Sequence, residues 1–129
     1  MKGIELPYPT SFTNSGPEVT FTNSDLTIKY GYVDDNKVVH WVTIIFEFVY
    51  GFNYIECDYT NTSNYKFGLV QIVGSDWIKR LENVWSQEYE RDLKNIFGGE
   101  LDKVKHFRIY FDDHGMYDII CKGILIAEK

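Results

Sequence analysis

The sequence predicts an α+β fold: a curved, mainly antiparallel sheet with one long amphipathic helix packed on one face and a C-terminal hairpin. Three observations lead there. Several segments alternate apolar and polar residues with a period of two, as strands with one buried face do. One segment, opening at Gly74-Ser75-Asp76, switches to a period of 3.6. Near the end, Asp112-Asp113-His114-Gly115 separates two apolar runs, and Asp and Gly are residues that hairpin turns select.

The 129 residues suit one domain, and no repeat, linker or low-complexity tract divides them. Residues 1–17 read as an irregular segment, because Pro7, Pro9 and Pro17 cannot donate to a sheet ladder. Val19 to Thr22 reads as a short edge strand. Leu26, Ile28, Tyr30 and Tyr32 share one face of the next strand, and Asp34-Asp35-Asn36-Lys37 closes it with a turn. Val38 to Tyr50 is apolar on both faces around Val42–Phe46, which suits a central, covered strand. Gly51 marks a turn or bulge. Phe52 to Tyr59 and Tyr65 to Val73 continue the sheet around a polar loop. Ser75 is placed to cap a helix, its hydroxyl accepting a free amide of the first turn. Ile78, Leu81, Trp85, Tyr89, Leu93 and Ile96 then form one stripe, Trp77 and Val84 widen it, and Gly98-Gly99 stops it. Lys105 to Phe111 and Met116 to Ala127 are the arms of the closing hairpin.

Composition narrows the function. The formal net charge is −6, from 19 acids and 13 bases. Residues 1–74 hold eight of the acids and four of the bases. An acidic chain repels phosphate backbones, so nucleic acid is an unfavoured partner, whereas a basic protein is attracted. No apolar run is long enough to span a membrane and the first residues lack a secretion signal. A cytoplasmic location is expected, and two cysteines without CxxC spacing agree with it.

No phosphate-binding loop, dinucleotide fingerprint, nucleophile elbow or zinc-protease motif occurs. Catalytic, cofactor and metal residues are therefore not assigned. Asp112, Asp113 and His114, with His106 across the hairpin, are oxygen and nitrogen donors, but their neighbourhood reads first as turn chemistry. Cys57 and Cys121 sit among apolar strand residues and read as small buried hydrophobes. The candidate partner surface combines Asp34, Asp35, Glu56 and Asp58 with Tyr30, Tyr32 and Tyr54. Rings supply contact area there and carboxylates steer encounter.

Val73-Gly74-Ser75-Asp76-Trp77-Ile78 runs from a strand into a Trp-bearing helix start, and His106 to Cys121 reads His-Phe-Arg-Ile-Tyr-Phe-Asp-Asp-His-Gly-Met-Tyr-Asp-Ile-Ile-Cys. Together these stretches resemble small, largely uncharacterised bacterial proteins, some of which look like immunity proteins of polymorphic toxin systems. The resemblance covers the C-terminal half. It implies a bacterial source and an inhibitory binding role, and it brings no catalytic residues with it. The expected function is a non-enzymatic protein-binding module, an immunity-type inhibitor of a basic bacterial toxin. The alternative is a small enzyme or ligand-binding domain with a pocket between helix and sheet.

Overall fold

A computed structural model describes residues 2–10, 15–55, 68–89, 104–111 and 115–128, with side chains 84–89 outside the description. Its elements are β1 (Lys2–Ile4), β2 (Ser15–Thr22), β3 (Asp25–Val33), β4 (Val39–Glu47), β5 (Gly51–Ile55), β6 (Gly68–Ile72), α1 (Asp76–Tyr89), β7 (Lys105–Phe111), β8 (Gly115–Cys121) and β9 (Gly123–Glu128). They form two sheets: β1-β6-β7-β8-β5, and β2-β3-β4-β9. All the pairings are antiparallel.

The two sheets bury their apolar faces against each other. Leu26, Ile28 and Tyr30 of β3 and Val42, Ile44 and Phe46 of β4 face Leu69, Phe107, Ile109, Phe111, Tyr117, Ile119 and Cys121 of the first sheet in one cluster. Tyr30 meets Phe111 edge-on at 5.3 Å, and Phe46 meets Phe107 at 6.1 Å. Burying each such side chain contributes roughly 1.5–3 kcal/mol, so this shared layer is the main source of stability.

The predicted α+β architecture is corrected here. The molecule is mostly β, with two antiparallel sheets where one sheet and a long covering helix were expected. The alternation in β3 correctly marks a buried face, but the surface that covers it is another sheet; β4, read as apolar on both faces, buries Val42, Ile44 and Phe46 there and leaves the residues between them half-buried. The described helix has 14 residues. Its first turns pack on the outer side of the first sheet, where Trp77, Ile78 and Leu81 meet Tyr50, Val104 and Ile120. Trp85 and Tyr89, expected in the same stripe, lie outside the described side chains, and residues 90–96 lie outside the described residues.

Three further differences have local causes. Lys2–Ile4, expected to be irregular, adds an edge strand beside β6. Pro17 lies within β2, at a register shift between Ser15 and Glu18; β2 is an edge strand, where a missing amide does least harm. The last arm of the expected hairpin is two strands. The chain leaves the first sheet after Cys121 and joins β4 from Gly123 onward. At that crossing the Lys122 amide donates to the Glu47 carbonyl at 2.9 Å. No described helix is long and apolar enough to cross a membrane.

Candidate functional site

The β3–β4 turn carries the first of the expected contact residues. Asp34 Oδ1 accepts the amides of Asn36 and Val38, both at 2.9 Å. This side-chain turn holds Lys37 at a φ of 61°, a left-handed conformation that needs such support. The other oxygen, Oδ2, lies 2.8 Å from His40 Nε2. The His40 hydrogen bond, then the Val38 amide, outweigh burial and hold the Asp34 carboxyl below its ordinary range.

His40 gathers the rest of this end. Its ring stacks on Tyr8 at 4.2 Å, and Tyr8 stacks on Tyr32 at 5.5 Å. Glu128 Oε1 stands 3.9 Å from His40 Nδ1. Burial, followed by the charge and hydrogen bonding of Glu128, raises the Tyr8 hydroxyl pKa. The Tyr30 hydroxyl donates to the Tyr8 carbonyl at 2.6 Å, fixing the backbone that presents this ring. Asp35 is exposed beside Asp34.

Of the residues nominated from sequence, Tyr32, Asp34 and Asp35 thus share one end of the second sheet. Tyr30 does not join them at the surface. Its ring is fully buried in the core, so as a partner-contact residue it is corrected to a supporting one. Tyr54 is 46% exposed but belongs to the edge strand of the other sheet, against Tyr117. Glu56 and Asp58 lie outside the described residues. Tyr8, His40 and Glu128 were missed. They come from three distant segments: the β4–β9 register brings Glu128 beside His40, and the Tyr30 hydroxyl holds the backbone of Tyr8.

A second constellation sits on the outer side of the first sheet. Ser75 Oγ is 2.7 Å from His106 Nδ1, and His106 Nε2 is 2.7 Å from Asp118 Oδ1. Arg108 Nε donates to the same Asp118 oxygen at 2.9 Å. An ionised carboxylate only accepts, so the His106 proton sits on Nε2. Nδ1 and the Ser75 hydroxyl complete the chain, the hydroxyl donating to a neutral ring and accepting from a protonated one. Ser75 Oγ in turn accepts the Ile78 amide at 3.2 Å, the helix cap expected from sequence. Burial is the largest influence on Asp118 and opposes its ionisation, but His106 and Arg108 together outweigh it and hold its pKa low.

The order Ser–His–Asp matches a hydrolytic relay in composition, yet Ser75 is 5% exposed and its oxygen already serves the helix N-terminus. The arrangement ties α1 to β7 and β8. Its members stand out in the sequence, since Asp118 interrupts an apolar strand and His106 and Arg108 alternate on the neighbouring one, but their pairing is set by the strand register. Asp112, Asp113 and His114, the other donors considered with His106, lie outside the described residues. Cys121 is buried and donates to the Gly123 carbonyl at 3.4 Å. Burial pushes its thiol up to about 12, so it stays protonated at neutral pH and is a poor nucleophile.

Beside this network, an open cleft of ≈ 740 Å³ lies between α1 and the β5–β8–β7 surface. Comparison with family models, with curated proteins and with solved structures gave no match.

Proposed function

We propose that this chain is a non-enzymatic protein-binding module, an immunity-type inhibitor that covers a basic bacterial toxin in the cytoplasm. The observation that carries this reading is the end of the second sheet. There Asp34, Asp35 and Glu128 surround the stacked rings of Tyr8, His40 and Tyr32. Carboxylates placed this way attract a cationic surface over several ångströms, and the rings offer contact area with little side-chain entropy to lose. The commitment of Ser75 to the helix cap and the high pKa of Cys121 support a role without covalent catalysis.

The test is hydrogen exchange of the free protein and of its complex with a basic toxin domain captured from the native host. Protection is expected on residues 32–40 and at the end of β9. Protection confined to the outer side of the first sheet, or none, would overturn the assignment.

A further inference from the structure

The cleft between α1 and the first sheet has a chemistry of its own, unlike that of the acidic end. We infer that it binds a small carboxylate with an apolar, preferably aromatic, body. The volume of ≈ 740 Å³ lies within the usual range for small-molecule sites. Two guanidinium groups line it, Arg80 from the helix and Arg108 from β7, together with the carboxylates of Asp76 and Asp118, of which Asp118 is already engaged by His106 and Arg108.

Arg108 spends only its Nε hydrogen on Asp118. Its Nη groups, and the whole Arg80 fork, have no hydrogen-bond or ion-pair partner among the described residues. Even Asp76, one turn before Arg80, makes no ion pair with it. An arginine fork complements a carboxylate through two parallel hydrogen bonds. Trp77, Leu81 and Ile55 supply apolar wall around these donors, which is where the body of such a ligand would lie.

The buried network holds the Arg108 side chain and the start of the helix that carries Arg80. Asp118 grips Arg108, His106 grips Asp118, and Ser75 links His106 to the first turn of the helix that carries Trp77 and Arg80. Gly51 contributes by omission: a Cβ there would come 2.8 Å from the Trp77 ring. Ser75, His106 and Asp118 are positioning residues in this scheme, and Arg80 and Arg108 are the contacts. The inference is independent of the protein-binding role and uses different residues.

Titration with benzoate tests it, read by the indole N–H resonance of Trp77 and assigned with Trp77→Phe. Benzyl alcohol and benzylamine supply the same body without the carboxylate. A saturable millimolar response to benzoate alone is expected. Arg80→Gln should weaken it about tenfold, as loss of a charge-assisted hydrogen bond does. Arg80→Lys should recover part of it by restoring the charge without the fork. Arg80 is exposed, so these variants are expected to fold. Equal responses to all three compounds, no response to benzoate, or unchanged affinity in folded Arg80→Gln would overturn the inference.

Discussion

Replacing Asp118 with Ala tests the buried network most sharply. The substitution removes the acceptor of two donors, His106 Nε2 at 2.7 Å and Arg108 Nε at 2.9 Å. His106 is 6% exposed, so its N–H is left without a partner and without ready access to water. An orphaned buried donor costs about 1–3 kcal/mol. The Arg108 side chain is 29% exposed and can turn toward solvent, which limits its share to about 0.5–1 kcal/mol. The expected destabilisation of Asp118→Ala is therefore about 1.5–4 kcal/mol. Asp118→Asn keeps a carbonyl oxygen near Oδ1 and loses only the charge, so its loss should be smaller, about 1–2 kcal/mol. Urea denaturation measures both, provided the dependence on denaturant keeps its slope. Equal losses in the two variants would show that the retained acceptor does not matter. A loss below about 0.5 kcal/mol for Asp118→Ala would place the site among ordinary surface positions and refute the reasoning.

Acid titration follows from the same carboxylate. Because the folded state depresses the Asp118 pKa, its contribution is full above the unfolded value of about 3.9 and is lost as pH falls through the folded one. Stability should thus decline on acidification below about pH 4, less steeply in Asp118→Asn, as followed by denaturation at a series of pH values. Gly115→Ala should cost about 2–4 kcal/mol on thermal or urea unfolding. The glycine has a φ of +96°, and a Cβ there would lie 2.5 Å from the Ile55 carbonyl. Tyr30→Phe should lose about 1 kcal/mol, the worth of the hydrogen bond to Tyr8, and leave partner association intact if the ring is only a support.

What could be read from the sequence follows from what periodicity encodes. A continuous apolar run located β4, while alternation located β3 and β7 and identified Leu26, Ile28 and Tyr30 as one face. It states that a face is buried and not what buries it, so a helix was supplied where the molecule uses a second sheet. The β8–β9 crossing was hidden for a related reason. Residues 116–127 are almost wholly apolar, and Lys122-Gly123 is a weak mark for a change of sheet. Ser75 was legible because capping is local chemistry. The His106–Asp118 pair is invisible to local chemistry, because it depends on the register that sets Asp118 opposite Arg108 and one step diagonal from His106. Tyr30 and Tyr32 share a face, but position along the strand separates them. Tyr30 lies under the opposite sheet, while Tyr32 reaches the half-exposed end.

The central claim is that the acidic, aromatic end of the second sheet meets a basic protein, and association kinetics test it most directly. The measurement is binding of a basic toxin domain captured from the native host to wild type and to Asp34→Asn/Asp35→Asn, at several salt concentrations. Asn at 34 retains an oxygen for the Asn36 and Val38 amides, so the turn is preserved while both charges are removed. The double variant is expected to associate about tenfold more slowly at low salt with little change in dissociation rate. The difference should shrink toward physiological ionic strength, where screening shortens the field to about 8 Å. An association rate indifferent to both salt and the substitutions, or no binding at low salt, would contradict the claim.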